Sequence, residues 1–192
     1  RLSVLPVLAE FTKTFEMQSP AIMPVLNIVY FPGSTIGNFT YDAAQELLDV
    51  MYQEAGAGGA LLIGVDLQKD PEIIERAYND SKGVTAEFNL NMLRHLNREY
   101  EADFDLDAYE HNAEYNREKG RVELRLVSDK DQEFNVGDES FSIAKDEAIL
   151  TEYSHKYTLE GFAAMAEKAG FSVEHVWMDA DRLFSVQFLT RS

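Results

Sequence analysis

Residues 29–39 read Val-Tyr-Phe-Pro-Gly-Ser-Thr-Ile-Gly-Asn-Phe, and their types suit the binding of something small and polar. Gly33 and Gly37 let a ligand approach the backbone closely, and the Asn38 amide both donates and accepts hydrogen bonds. The stretch has neither Gly-Lys-Ser/Thr nor G-x-G-x-x-G spacing, so it is not a phosphate cradle of either kind. A plain strand-to-helix turn uses the same residues, and spacing alone leaves both readings open. A second stretch is Thr151-Glu-Tyr-Ser-His-Lys-Tyr157. On an extended chain Glu152 and Ser154 share one face and Tyr153 takes the other. An acid beside a hydroxyl at a strand end grips an N–H-rich ligand; an exposed polar strand face is the plainer alternative.

Other chemistry-bearing residues point to structure. His95, His111, His155 and His175 show no H-x-x-H or H-E-x-x-H spacing, so no zinc site is expected and solvated or edge positions are. Asp103, Asp105 and Asp107 resemble a calcium loop but lack its central Gly and terminal Glu, and read as a solvated acidic loop. Tyr78 reads as a helix-packing aromatic whose hydroxyl needs a partner if buried.

The elements that must carry these residues alternate in style. Leu26 to Phe31 is a candidate strand, followed by a helix from about Asp42 to Glu54 with Asp42 as cap and Gln45 completing a capping box. Ala60 to Val65 is a second, fully apolar strand, and strand-helix-strand with few polar breaks implies a parallel sheet covered on both faces. Near the end, Thr158 caps a helix through Ala169, and Ser172–Trp177 and Phe184–Leu189 read as an antiparallel pair. Between lies an α+β composition. Asp70-Pro71 starts a helix to about Asn79, Thr85 caps a second, Glu99–Tyr115 reads as an acidic connector, and Arg121–Val127, Phe141–Ile143 and Glu147–Tyr153 read as strands. Leu2 to Leu8 is one more strand-like run. The fold class is therefore α/β, with an inserted α+β subdomain over 69–156 between the outer segments 1–68 and 157–192.

Composition narrows the partners. A net charge of −17 argues against nucleic acid and anionic membranes, which need basic patches. No stretch approaches the roughly 18 apolar residues of a membrane span, and no signal peptide is visible. Zero cysteines exclude disulfides, thiolate metal sites and cysteine nucleophiles, and fit a reducing cytoplasm. The start at Arg1 rather than Met reads as a cut through a larger protein.

Four stretches in order carry a resemblance: Phe31–Asn38, Leu61–Asp70, Ala86–Asn91 and Thr151–Tyr157. Together the chain resembles the histidine-specific, S-adenosylmethionine-dependent Nα-methyltransferases of ergothioneine biosynthesis. That resemblance implies a partial class I, Rossmann-like methyltransferase sheet with an inserted substrate-binding subdomain. It implies that the Gly33 backbone and Asn38 hold the α-amino group of histidine, Asn38 also reaching its carboxylate, and that Tyr78 donates to that carboxylate. Glu152 and Ser154 would bind the imidazole, with Leu124 where the family has a Met, a volume-conserving swap. Glu10 and Phe11 would sit beside the adenine of S-adenosylmethionine, Glu10 standing where the family has Asp.

The same resemblance places the family's glycine-rich cofactor loop and ribose-binding acid before Arg1. In the strand order 3-2-1-4-5-7-6 the chain would hold strands 3 to 7 and lack 1 and 2. An apolar edge would then be exposed, with residues 1 to 15 displaced or with the edge pairing across a dimer. Two rivals stay open: a non-catalytic amino-acid-binding or dimerisation fragment, and a methyltransferase for another amino acid.

Overall fold

The computed structural model describes residues 4–16, 22 and 24–191. The chain divides into two units, one of residues 1–68 and 155–192, the other of residues 69–154.

Among its described residues the first unit is a four-stranded sheet with two α-helices. Strands β1 (Ile28–Phe31) and β2 (Ala60–Asp66) run parallel, joined by α1 (Tyr41–Ala55). β9 (Phe184–Arg191) pairs antiparallel with β2 and β8 (Phe171–Met178) antiparallel with β9, giving the order β1-β2-β9-β8. α4 (Leu159–Lys168) precedes β8, and Thr158 caps it as its spacing predicts. The sheet is mixed rather than purely parallel because the tight acidic turn before β9 sends the chain straight back. Leu61, Ile63, Val65 and Leu189 meet Leu47, Leu48, Met51 of α1 and Phe162, Ala166 of α4 in one core. Each such Leu, Ile, Val, Phe or Met side chain, fully buried, contributes about 1.5–3 kcal/mol. The other face of the sheet carries Tyr30, Leu62, Phe188 and His175 in one row and Val186 with Trp177 in the next. On it Tyr30 is 67% and Trp177 54% exposed.

Several expectations are corrected. Thr40, not Asp42, caps α1: its hydroxyl accepts from the Ala43 amide at 3.3 Å. Residues 4–10 form no strand and are exposed, while Leu2 and Ser3 of the expected strand lie outside the described residues. Their apolar side chains do not alternate with polar ones, and β1, the sheet edge, pairs only with β2 among the described residues.

The second unit holds α2 (Pro71–Tyr78), α3 (Val84–Glu99) and a three-stranded sheet in the order β3-β4-β7, of Tyr109–Asn116, Arg121–Ser128 and Ala148–His155. β5 (Gln132–Val136) and β6 (Glu139–Ile143) form a separate hairpin. Asp70 caps α2, accepting from Glu72 N at 2.9 Å, with Pro71 at the first position. Val122, Leu124 and Leu126 of β4 point to the side packed with Ile74 of α2 and Leu93 of α3. Arg121, Glu123 and Arg125 take the opposite face, where Arg121 and Arg125 both bond the Glu123 carboxylate. Burial alone would raise the Glu123 carboxyl, but hydrogen bonding and charge from Arg121, with Arg125 and Lys119, leave it below its ordinary value. Residues 109–115, expected as a connector, are a strand paired with β4. Thr85 is not the cap of α3: Gly83 is, and Asp80 accepts from the amides of Val84 and Thr85. Among the described residues no helix is long and apolar enough to cross a membrane.

Candidate functional site

The loop leaving β1 is seated before it is free to bind anything. Ser34 adopts a left-handed conformation (φ 55°, ψ 20°), and Thr35–Asn38 then form a single 3-10 turn closed by Gly37 N to Ser34 O at 2.9 Å. Ile36, fully buried, plugs the turn into the core while Gly33 and Asn38 stay exposed at its two ends. The two glycines have different reasons. A Cβ on Gly37 would lie 2.8 Å from the carbonyl oxygen of His155, a backbone contact no side chain tolerates. A Cβ on Gly33 would meet nothing closer than Thr35 Oγ1 at 3.7 Å, so the protein's own packing does not demand glycine there.

Beneath the loop lies a polar network. Ser34 Oγ accepts from the Asp66 amide at 2.9 Å, and the Asp66 carboxylate pairs with Lys156 Nζ at 2.7 Å. His155 donates from Nδ1 to the Gly37 carbonyl at 3.1 Å, and the Tyr157 hydroxyl donates to Ile36 O at 3.4 Å. Burial pushes the Tyr157 phenol far up, so it stays a donor. His155, expected at a solvated or edge position, is instead 1% exposed; its ring lies 4.9 Å from that of Tyr41. A close approach also fixes the loop's entry, for a Cβ on Gly64 of β2 would fall 1.8 Å from Pro32 O.

In the second unit, Tyr78, Glu152, Ser154 and Leu124 come to one side of the β3-β4-β7 sheet. Tyr78 ends α2, and its hydroxyl lies 2.7 Å from Ser154 Oγ. Its backbone is held too. The Tyr78 carbonyl accepts from His111 Nε2 at 2.9 Å, and Asn79 bonds both the carbonyl and the amide of Ala113. His111 Nδ1 accepts from Asn89 at 3.0 Å, the pattern of a neutral ring protonated on Nε2. Tyr153 takes the other face of β7, with the Arg121 guanidinium 3.6 Å over its ring. Glu152 lines a cleft of about 300 Å³ with Phe88, Asn91, Met92 and His95 of α3. Leu124 is 1% exposed and belongs to the Ile74 cluster against which Tyr78 packs, so it supports that ring from below.

Glu10 and Phe11 lie in the first unit. Both Glu10 oxygens are engaged, by Thr12 Oγ1 at 2.9 Å and Lys13 Nζ at 2.7 Å, and Lys13 foremost holds the carboxyl below its usual value. The Phe11 ring packs at 5.8 Å from Phe31 and 6.2 Å from Phe39 and is half exposed. It lines an apolar cavity of about 440 Å³ with Phe15, Leu26, Tyr30 and Val50. An exposed aromatic face over such a cavity fits a purine; a carboxylate already bonded twice fits it less well.

Ser34, Asp66, His155 and Lys156 have no local signature. Their partners are 32, 90 and 118 positions away.

Residues 1–191 match the family model described as histidine-specific methyltransferase, SAM-dependent. The chain is 40% identical over 166 residues to histidine N-alpha-methyltransferase of Mycolicibacterium smegmatis, covering 85% of this chain and 52% of that protein. Against the protein of the same name from Mycobacterium tuberculosis it is 40% identical over 151 residues, 78% and 47% of the two chains. L-tryptophan methyltransferase trpM of Psilocybe serbica is 30% identical over 156 residues, 79% and 43%. The chain spans about half the length of the curated relatives it matches.

Proposed function

Because this chain belongs to the family of histidine-specific, S-adenosylmethionine-dependent methyltransferases, we propose that its parent protein methylates the α-amino group of histidine, to trimethylhistidine (hercynine), in ergothioneine biosynthesis. One relative is named ergothioneine biosynthesis protein 1 of Neurospora crassa, 45% identical over 65 residues, 34% of this chain and 7% of that protein. The observation that carries the substrate reading is the polar set on one face of β7. Glu152 and Ser154 stand two residues apart, and Ser154 is fixed by Tyr78 at 2.7 Å. A carboxylate facing an imidazole N–H makes a charge-assisted bond, stronger than a neutral one. An indole or phenol offers that carboxylate less.

Gly33 and Asn38 take the amino-acid head. The absence of any steric demand for glycine at 33 supports this, since the space beside it stays open. Tyr78 donates to the carboxylate of the substrate. Around the amine, a backbone carbonyl and an amide are weak enough partners to leave room for successive methyl groups. The attacking amine must be neutral, and the chain's task is to orient it and exclude water rather than to form a covalent intermediate. When bound, S-adenosylmethionine supplies an electrophilic methyl group on its sulfonium. Phe11, with its apolar cavity, is the residue of this chain that would hold the adenine, and Glu10 would flank it.

A tryptophan substrate is the competing reading, favoured by the relative named for it. Calorimetric titration with histidine, tryptophan and S-adenosylhomocysteine, with mass spectrometry of methylated products, separates the cases. The proposal expects histidine to bind at least 10-fold more tightly than tryptophan and to gain three methyl groups. Tryptophan preference, or histidine binding with no S-adenosylhomocysteine binding and no turnover, overturns it.

A further inference from the structure

We propose that Lys156, Asp66 and Ser34 are positioning residues that set the geometry of the amino-acid head subsite without touching the substrate. The inference rests on the reading of the Gly33–Asn38 loop given above.

Lys156 is among the largest fully buried side chains, with 1% of its surface exposed. A buried ammonium needs a partner, and it has the Asp66 carboxylate at 2.7 Å. Such pairs seldom outdo an apolar pair of the same volume in stability, so stability alone does not account for this one. What Asp66 does next supplies the rest. Its amide, at the end of β2, donates to Ser34 Oγ at 2.9 Å. Ser34 is the non-glycine residue held at φ 55° between Gly33 and the turn that ends in Asn38. An L-residue stays in that region only where its surroundings over-determine it. Rotation at Ser34 swings the Gly33 backbone relative to the Asn38 amide, the two groups assigned to the head.

The same clamp closes from the other strand. Tyr157 N donates to Asp66 O at 2.9 Å, and the Lys156 carbonyl accepts from Gln68 Nε2 at 3.2 Å. His155, the residue before Lys156, donates to Gly37 O. The ion pair thus locks the end of β2 to segment 155–157, and both then hold the loop, one at Ser34 and one at Gly37. A loop so fixed before binding loses little freedom when it takes its ligand.

The test uses two probes on the full protein: histidine, which has head and ring, and 4-methylimidazole, which has the ring alone. Ser34→Gly removes Oγ while relieving the backbone, and Lys156→Met removes the charge while keeping the stem. In both, histidine affinity should fall about 10-fold or more, with 4-methylimidazole affinity within about 2-fold of the parent. In methyl transfer the KM for histidine should rise with kcat nearly unchanged. Ser34→Asn, which tolerates the left-handed region and offers an acceptor to the Asp66 amide, should return histidine binding to within about 3-fold. Equal loss of both probes marks mere structural damage and overturns the inference, as does unchanged histidine affinity in Ser34→Gly. Should the parent protein bind 4-methylimidazole and histidine equally, or neither, the head-subsite reading itself fails and the inference with it.

Discussion

Replacing each loop glycine by alanine should give opposite results, because the two sites differ in what a methyl group meets. At Gly37 the new carbon lies 2.8 Å from His155 O and 3.3 Å from His155 N, both backbone atoms of a buried residue. Neither can swing aside, so the turn must lift by several tenths of an ångström. Overpacking of this kind costs about 1–3 kcal/mol. Lifting also stretches the bond from His155 Nδ1 to Gly37 O, now 3.1 Å, whose loss adds about 1 kcal/mol. The total of about 2–4 kcal/mol lowers a melting midpoint by roughly 2–4 °C for each kcal/mol in a protein of this size. Gly37→Ala should therefore melt roughly 4–16 °C below the parent, by calorimetry or circular dichroism. At Gly33 the nearest atom is Thr35 Oγ1 at 3.7 Å, an ordinary contact. Gly33→Ala should melt with the parent or slightly above it, by up to about 1 kcal/mol through the unfolded chain, yet bind histidine at least 10-fold more weakly. A Gly37→Ala protein melting within 2 °C of the parent would refute the seating argument. Undiminished histidine affinity in Gly33→Ala would refute the role given to that space.

Glu152→Ala should lower histidine affinity by about 1.5–3 kcal/mol, roughly 10- to 150-fold, with the melting midpoint nearly unchanged; parallel losses of both would make Glu152 structural. Tyr78→Phe removes the hydroxyl 2.7 Å from Ser154 Oγ and, as a donor to a carboxylate is lost, should cost about 1.5–3 kcal/mol of histidine binding, read by the same titration. Acid should loosen the start of α3. The amides of Thr85 and Val84 hold the Asp80 carboxyl down to about 2, from 3.8. A depressed folded value means the cap is fully effective above pH 3.8 and is lost as pH falls toward 2. Hydrogen-exchange protection factors at Val84–Phe88, taken against the intrinsic rate at each pH, should fall over that window in the parent and be low at every pH in Asp80→Ala.

The elements that announced themselves were those whose own residues decide them. β2 is a run of apolar residues and α4 has a hydroxyl cap with an apolar face, so Ala60–Asp66 and Leu159–Lys168 emerge as expected. β3 hid because Tyr-Glu-His-Asn-Ala-Glu-Tyr-Asn turns Tyr109, Ala113 and Tyr115 inward among polar residues, and only pairing with β4 makes it a strand. Caps were misplaced by two residues where neighbouring Thr and Asp compete for the same amides, as at Thr40 and Asp42. The loop and the Glu152–Ser154 face stand out because each is a short local run of polar residues. Spacing left a plain turn and an exposed strand face open, and only the family resemblance gave them roles. The buried pair does not stand out: a lysine reads as solvated until the strand carrying Asp66, 90 positions earlier, is laid beside it.

The chain holds one tryptophan, and the fold sets it on the sheet face that carries Tyr30 and Phe188, more than half open to water. Its fluorescence is therefore a built-in gauge of that face. Emission should be red and readily quenched by acrylamide in this chain, and any body that settles over the sheet should turn it blue and shield it, without a label being attached.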